Sequence, residues 1–197
     1  TRRGGIDPPL SPTYWNEMIN QVRRIASREI HQGRLVRLRE DTVILPQGTE
    51  TTYEYVEIKH GSSTLAMESN GDVYLVREFK YAVDRLSLEV VSGGIELGEE
   101  PIDAARRELR EEAGLVATDW LPLGYVDPFT TMLRCPNHLF IARGLTAVER
   151  ELEEAELAME IVRVPLDEAV RMVMSGAMTH ATSCVLVMRA AELLRRS

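Results

Sequence analysis

The sequence predicts an α+β fold: one domain with an N-terminal extension. From residue 34 to residue 81, apolar residues follow a period of two, which is typical of strands in an antiparallel sheet. After residue 100, three segments have helical spacing, and strand-like runs lie between the first and the second of them. The 197 residues are within the usual length of one domain and can bury a core that needs no disulfide or metal to hold it.

The N-terminal extension is predicted to cover residues 1–33. Residues 1–12 contain three prolines and two glycines and are interpreted as a tail. Residues 13–31 have near-helical spacing of apolar side chains, so an amphipathic helix that ends at Gly33 is predicted. The apolar stripe of this helix consists of Trp15, Ile19, Val22, Ile25 and Ile30. The remaining residues, 34–197, are predicted to form the main domain.

Turn signals divide the alternating segment into short strands. The triplet Arg39-Glu40-Asp41 is interpreted as one turn, and Pro46-Gln47-Gly48 as a second. Asn70-Gly71 between two apolar runs is a strong sequence sign of a β-hairpin. A mostly antiparallel sheet is therefore expected before residue 81.

The clearest predicted helix covers residues 101–113. Pro101 suits the first turn of a helix, and Gly114 suits the left-handed position that follows the last turn. Further along the chain, strand-like runs are predicted at residues 124–126, 139–142 and 161–164, and two closing helices at residues 166–174 and 182–195.

The charge balance is acidic, with 23 Lys and Arg against 31 Asp and Glu, a net charge of −8. Proteins that bind nucleic acids usually carry a basic surface, so a nucleic-acid partner is not expected. Cys135 and Cys184 fit no metal or redox spacing, and no signal peptide or membrane-spanning run is visible. A cytoplasmic protein with no membrane partner is therefore expected.

A group of glutamates on the helix at 101–113 is the candidate chemical centre. Glu108, Glu111 and Glu112 are three or four residues apart or adjacent, so they crowd one side of the helix. Like charges at this spacing destabilise a helix, and a cation is expected among them. Carboxylates without interleaved His or Cys suit Mg²⁺ or Mn²⁺ rather than zinc.

The segment before this helix contains Gly93 and Gly94, which let the backbone approach closely. The carbonyl oxygen of Ser92 is therefore a candidate for a further metal ligand. The simpler alternative is a solvated helix face on which neighbouring arginines neutralise the glutamates. The spacing of the whole segment favours the metal site.

Residues 93–115 have the spacing Gly, five residues, Glu, seven residues, Arg-Glu-apolar-any-Glu-Glu-any-Gly-apolar. This pattern is the Nudix box, matched without a departure, and the chain strongly resembles a Nudix hydrolase. The resemblance implies an α/β/α sandwich around a mixed sheet. It also implies Mg²⁺-dependent hydrolysis of a nucleoside diphosphate that is linked to another moiety.

Roles follow from the resemblance position by position. It implies that Glu108, Glu111 and Glu112 bind or orient the metal, and that Arg107 positions them through charge-assisted hydrogen bonds. It implies that Glu99 supports the preceding loop or binds metal through water.

A general base outside the helix is also expected. Enzymes of the ADP-ribose group often place a catalytic glutamate in the loop before a late strand, here residues 149–160. Glu154 or Glu156 is therefore favoured, and a merely solvated acidic loop is the alternative.

The substrate is suggested by a second resemblance, to the ADP-ribose pyrophosphatase branch. Residues 77–81, Arg-Glu-Phe-Lys-Tyr, are similar to its R-Q-Y-R-Y strand, and residues 88–93 to its E-x-P-A-G lead. The resemblance makes Arg77 and Lys80 candidate phosphate or ribose contacts and Glu89 a candidate metal-shell or substrate contact.

There are departures from the branch. Val91-Ser92 replaces Pro-Ala, and residues 127–132 lack the expected glycine. Lys80 replaces an arginine, so the two parallel hydrogen bonds that a guanidinium can donate are lost. ADP-ribose remains the favoured substrate, and another nucleotide sugar or a dinucleotide is the alternative. A non-catalytic ligand-sensing module is disfavoured, because a pure binder would not need all three helix glutamates.

Members of this branch are often dimers whose N-terminal strands reach the partner's pocket. A homodimer is therefore expected, with strands in residues 34–60 as the candidate dimerisation segment. The alternative is a monomer whose apolar stripe packs on its own domain. The four histidines fit no ligand spacing and are interpreted as structural or surface residues: His31, His60, His138 and His180.

Overall fold

The chain folds as two units, residues 1–57 and residues 58–197, in a computed structural model that describes residues 22–150 and 158–196. The first unit is built on three strands that are hydrogen-bonded in chain order. These strands are β1 (Arg23–Gln32), β2 (Val36–Ile44) and β3 (Glu50–Ile58).

Residues 23–31 belong to strand β1, so the helix predicted there is wrong. This strand pairs antiparallel with β2, and Arg28 Nε lies 2.6 Å from Glu40 Oε1 across the pair. The register shifts after Arg24 and again after Glu29. Two such irregularities interrupt the period of two, which explains why the apolar spacing looked helical in the sequence.

Residues 13–21 of the predicted helix, like the predicted tail, lie outside the described residues. The turn predicted at residues 39–41 is wrong, because β2 runs through it without a break. The charged residues of this segment pair with β1, where opposite charges across two strands stabilise the ladder. The turn predicted at residues 46–48 is confirmed, since the Gly48 N–H donates to the Leu45 carbonyl at 2.8 Å.

The second unit is built on a mixed sheet of seven strands in the order β11-β5-β4-β10-β8, with β6 paired to β5 and β7 paired to β4. Strands β4 and β10 are parallel, and the other neighbours in this order are antiparallel. The strands of this part of the chain are β4 (Gly61–Met67), β5 (Asp72–Lys80), β6 (Arg85–Glu89), β7 (Val91–Gly94), β8 (Leu115–Val126), the short β9 (Leu133–Arg134), β10 (Asn137–Ala147) and β11 (Glu160–Pro165).

Three α-helices are present in the described residues, and a 3-10 turn (Tyr81–Val83) joins β5 to β6. The helices are α1 (Pro101–Ala113), α2 (Leu166–Ser175) and α3 (Ala181–Arg196). Each lies where the sequence predicts a helix. Among the helices that the structure describes, none has the length and apolar character needed to cross a bilayer.

The sheet has a hydrophobic layer on each face, because successive strand residues point to opposite sides. Leu65 packs with α3, whereas the next residue, Ala66, packs with α1. In β10, Ile141 and Ala142 divide in the same way. The predicted α/β/α sandwich around a mixed sheet is therefore confirmed for residues 58–197.

Strand β7 passes so close to α1 that one of its glycines has no room for a side chain. A Cβ atom on Gly93 would lie 1.9 Å from Cδ of Glu108. A Cβ on Gly94 would lie 3.1 Å from Cδ of Lys59, which is part of a flexible side chain. The close backbone approach expected at the two glycines is therefore confirmed at Gly93.

We expect Gly93→Ala to lower the free energy of unfolding by about 1–3 kcal/mol, because the new methyl group must displace the Glu108 carboxylate or α1. Gly94→Ala is the matched control and should cost less, because the Lys59 side chain can move aside. Urea unfolding followed by circular dichroism measures both. Equal stabilities for the two variants would contradict the close packing.

Candidate active site

Helix α1 is fixed at both ends as its sequence predicts. Pro101 occupies the first turn, and Gly114 adopts a left-handed conformation with φ of 62° and donates its N–H to the Arg110 carbonyl. Leu109, fully buried, holds one face of the helix in the core. The glutamates beside it are therefore placed against the edge of the sheet.

Two of the three helix glutamates are buried. Glu108 and Glu112 are 8% and 5% exposed, whereas Glu111 is partly exposed. Charged side chains are rarely buried to this extent unless they are paired or bind a cation. Their burial indicates a functional site rather than a solvated helix face.

Arg107 connects the helix glutamates to the loop that precedes the helix. Its Nη1 donates to Glu108 at 2.7 Å and to Glu111 at 3.1 Å. Its Nε and Nη2 donate to the two carboxylate oxygens of Glu99, both at 3.0 Å, and Nη2 also reaches the Gly94 carbonyl at 3.0 Å. The hydrogen bonds that Arg107 donates to Glu99 raise the pKa of Arg107, and the same bonds lower the pKa of Glu99.

Glu112 is held by the backbone of β7. The Ser92 N–H donates to Glu112 Oε2 at 3.2 Å. The Ser92 hydroxyl donates to the Val90 carbonyl at 3.1 Å and lies 2.7 Å from the Ser63 hydroxyl. Ser92 is therefore beside Glu112, and the role of its carbonyl oxygen as a metal ligand stays a prediction.

The metal site can be tested on the chemistry of its donors. Within residues 22–150 and 158–196, no three side chains of Asp, Glu, His or Cys lie close enough together to enclose a metal ion. Arg107 contacts two of the helix glutamates, and the third is directed to β7. The donors available are all oxygen atoms, two of the carboxylates are buried, and their repulsion favours a cation. These donors fit a hard divalent cation.

Lys80 is close enough to the glutamate cluster to respond to its charge. Burial acts to lower the pKa of Lys80, but its hydrogen bond to Glu78 and the charges of Glu89 and Glu112 more than offset burial and raise it. Of the three predicted substrate contacts, Lys80 is therefore within electrostatic range of the helix glutamate Glu112, and Glu89 is close to Lys80.

Arg77 is placed differently. It is bonded to Glu160 of the neighbouring strand β11, with Nε 3.0 Å from the carboxylate. Val76 packs with α1, so alternation along β5 directs Arg77 to the other face of the sheet from Lys80. Its role as a substrate contact stays a prediction that these contacts do not support.

The predicted general bases, Glu154 and Glu156, lie outside the described residues. The described residues on either side of residues 151–157 both reach α1. Arg150 Nε donates to the Glu112 carbonyl at 2.7 Å, and Met159 is buried in the cluster that contains Leu109.

A polar cavity of about 240 Å³ lies beside β7. Ser92 and Gly93 form part of its wall, and these two residues also contact Glu112 and Glu108 respectively. The cavity therefore adjoins the glutamate cluster. Its lining consists of Lys59, His60, Gly61, Glu89, Ser92, Gly93, Gly94, Asn137 and His180.

His180 lines this cavity, a placement that the sequence did not indicate. Its Nδ1 lies 2.8 Å from the Ser183 hydroxyl and 3.3 Å from Glu89 Oε2. Burial lowers the pKa of His180, the charge of Glu89 opposes this effect, and Lys80 adds to it. An isolated histidine carries no spacing signal, and only the fold brings residue 180 to Glu89.

Comparisons with known proteins agree with this geometry. Residues 59–182 match the family described as "NUDIX domain", and residues 22–56 match one described as "Nucleoside diphosphate sugar hydrolase N-terminal domain". The ADP-ribose pyrophosphatase of Bacillus subtilis (strain 168) is 31% identical over 176 residues, which cover 85% of this chain and 91% of that protein.

Two further proteins are similar to this chain. The ADP-ribose pyrophosphatase of Mycobacterium tuberculosis (strain ATCC 25618 / H37Rv) is 33% identical over 159 residues, which cover 80% of this chain and 77% of that protein. A solved structure described as "Crystal structure of ADP compounds hydrolase" has the same fold, with a TM-score of 0.78 at 19% identity over 89% of this chain and 95% of that one. Because the NUDIX domain match covers well over half of the chain, including α1 and the cavity, the chain belongs to the Nudix family.

Proposed function

We propose that this chain is a pyrophosphohydrolase that cleaves the diphosphate of a nucleoside diphosphate sugar. The products are a nucleoside monophosphate and a sugar phosphate. The observation that carries the proposal is the position of the buried glutamates Glu108 and Glu112, directly against the β7 wall of a polar cavity. Membership of the Nudix family supports the reaction type.

The reaction adds water to one phosphorus atom and breaks its bond to the bridging oxygen, which leaves with the other phosphate. The site must therefore stabilise the closely spaced negative charges of the diphosphate and remove a proton from water. A bound Mg²⁺ or Mn²⁺ would supply charge neutralisation and a more acidic water.

The residues that would hold this cation are Glu108, Glu111 and Glu112, with the Ser92 carbonyl as a further ligand. Glu99 would support them from the loop or contact the cation through water. Arg107 orients the carboxylates, since it is bonded to Glu99, Glu108 and Glu111 at once.

The remaining roles rest on position in the chain. Lys80 would bind a substrate phosphate, because its raised pKa keeps the ammonium group charged beside the helix glutamates. Glu154 or Glu156 would accept the proton of the attacking water, because Arg150, just before their segment, is bonded to α1.

The favoured substrate is ADP-ribose, which the names of the two bacterial relatives support. Another nucleotide sugar or a dinucleotide is the second candidate, because Lys80 and Val91-Ser92 depart from the pattern of that branch. A non-catalytic sensing role is disfavoured, because every glutamate of the Nudix box is present.

We expect the enzyme to act in the cytoplasm, without a nucleic-acid or membrane partner. The free thiols of Cys135 and Cys184 and the net charge of −8 support this expectation.

The proposal is tested by phosphate release in a phosphatase-coupled assay. The purified chain is incubated with Mg²⁺ and a panel of ADP-ribose, other nucleotide sugars and dinucleotides. If ADP-ribose is hydrolysed faster than the other compounds, the favoured substrate is supported. If another compound of the panel is hydrolysed faster, that compound replaces ADP-ribose as the proposed substrate. No hydrolysis of any member would overturn the function.

Glu112→Gln should lower turnover by at least about 100-fold, because the loss of a metal-binding carboxylate should cost at least as much as the loss of an outer-shell partner. Stability should be equal or slightly higher, because one like-charge repulsion along α1 is removed. The matched control is Glu100→Gln, an exposed glutamate just before the same helix. Near-normal turnover of Glu112→Gln at saturating Mg²⁺ would refute the metal assignment.

Chelation should stop hydrolysis and leave the chain folded, because the core layers hold the fold without the cation. Added Mg²⁺ or Mn²⁺ should restore the rate. Circular dichroism before and after chelation measures the fold, and phosphate release measures the rate. If the chelator unfolds the chain, the metal is structural and this assignment is wrong.

We also propose that the protein is a homodimer, with residues 35–60 near the partner's site. The support lies in the first unit, where every residue of β1 is exposed. Ile25 and Ile30 are among its exposed apolar side chains, and Tyr53 of β3 is exposed as well. Apolar surface of this kind is typical of a protein interface.

Light scattering at micromolar concentration should give a mass near twice the chain mass of 22.2 kDa. Replacing both Ile25 and Ile30 by Ser should shift the mass toward the monomer. The matched control is Leu97→Ser, which removes an exposed apolar side chain from a loop of the second unit. A mass near 22.2 kDa for the unmodified protein means that the dimer is wrong.

A further inference from the structure

One ring in the polar cavity is fixed by bonds to two different elements. His180 directly precedes α3, and its carbonyl accepts the N–H of Cys184 in the first turn of that helix. Ser183, fully buried, accepts the Val90 N–H at 3.0 Å and lies 2.8 Å from His180 Nδ1. Glu89 contacts the same nitrogen at 3.3 Å. The position of the imidazole is therefore set by α3 and by the end of β6.

These contacts favour one tautomer of the ring. The Ser183 hydroxyl can donate to Nδ1 or accept from it. The Glu89 carboxylate, 3.3 Å from the same nitrogen, can only accept, so we assign the proton to Nδ1. In the neutral ring the proton is then on Nδ1, and Nε2 has a free lone pair. Among the described residues, the recorded partners of the His180 ring all contact Nδ1.

The ring remains accessible from the cavity. The side chain of His180 is 31% exposed, and it lines the cavity together with Glu89. Burial lowers the pKa of His180, which favours the neutral ring with its lone pair. This corner of the cavity therefore offers hydrogen-bond acceptors.

The acceptors decide what kind of group fits here. A phosphate is itself an acceptor and would be repelled by the Glu89 carboxylate. A nucleobase would need apolar or aromatic surface to cover its faces, and the lining residues within the described part of the chain include no Phe, Tyr or Trp. A sugar presents several hydroxyl donors and little apolar area, which matches a lining of carboxylate, imidazole and amide groups.

We propose that His180 determines specificity for the sugar of the substrate, with Nε2 accepting a hydrogen bond from a sugar hydroxyl in the cavity beside β7. This inference rests on the function proposed above and adds where the sugar binds. Glu89 is then a positioning residue, because it orients the ring through Nδ1. The nucleoside diphosphate portion lies outside this corner.

The test measures binding without turnover. In the otherwise unmodified enzyme, calorimetry with Mg²⁺ compares ADP with the non-hydrolysable α,β-methylene analogue of ADP-ribose, because ADP lacks the terminal sugar. His180→Phe, similar in shape but without an acceptor, should weaken binding of the analogue by at least about tenfold and leave ADP binding unchanged. His180→Gln keeps an acceptor and should restore part of the loss. His138→Phe, at a histidine outside the lining, is the matched control.

Turnover gives a second reading in the otherwise unmodified enzyme. His180→Phe should raise KM for ADP-ribose with little change in kcat, because the lost bond is made in the ground state and in the transition state alike. A loss confined to kcat would make His180 a catalytic base and overturn the proposal. Equal weakening of ADP and of the ADP-ribose analogue would reduce it to a structural residue.

The two proposals fail in different ways. If the unmodified enzyme hydrolyses ADP-ribose and His180→Phe binds both ligands normally, only the inference about His180 is wrong. If the unmodified enzyme hydrolyses no nucleotide sugar, the proposed function is wrong and the inference falls with it. Circular dichroism checks that His180→Phe is folded, and His180→Leu, which also lacks an acceptor, replaces it in the comparison if it is not.

Discussion

The glutamates of α1 can share one side of a helix only because positive charge lies among them. Carboxylates three and four residues apart repel one another, and two of these are buried as well. Arg107 offsets the repulsion with one guanidinium that is bonded to Glu99, Glu108 and Glu111. The planar guanidinium group has five N–H donors and can therefore bond to three carboxylates at once. A lysine ammonium could not bind Glu99 through two parallel bonds. The preceding loop and the helix are therefore fixed by the same side chain.

The same constraint extends through β7 to the opposite layer of the fold. Gly93 leaves room for Glu108, and the Ser92 N–H binds Glu112, so α1 determines where this short strand runs. On its other side, the Val90 N–H binds Ser183 of α3. The chain from β6 to β7 is thus tied to a helix on each face of the sheet. The cavity lies at this junction, which explains why it is lined by residues far apart in the sequence.

Much of the second unit could be predicted from local signals. Pro101, Gly114 and the spacing of the Nudix box specify α1 and its carboxylates, because each acts within one or two helical turns. The strand β1 could not be predicted, because two irregularities in its pairing with β2 interrupt the two-residue alternation of its apolar side chains. The place of His180 could not be predicted either, since its contact with Glu89 depends on how α3 meets β6. Local pattern fixes elements, whereas contacts between distant elements require the fold.

The charge of the site bears on how an acidic protein can bind a pyrophosphate. The cations close to the cavity and the glutamate cluster are already paired: Lys59 with Glu96, Lys80 with Glu78, and Arg107 with Glu99. Pairing cancels most of the positive charge that these side chains would otherwise present to an anion. The helix glutamates add further negative charge directly beside the cavity. A substrate with a doubly charged diphosphate can therefore be held here only if a divalent cation makes the local electrostatic potential positive. The carboxylates of α1 are the groups that would bind this cation beside the cavity.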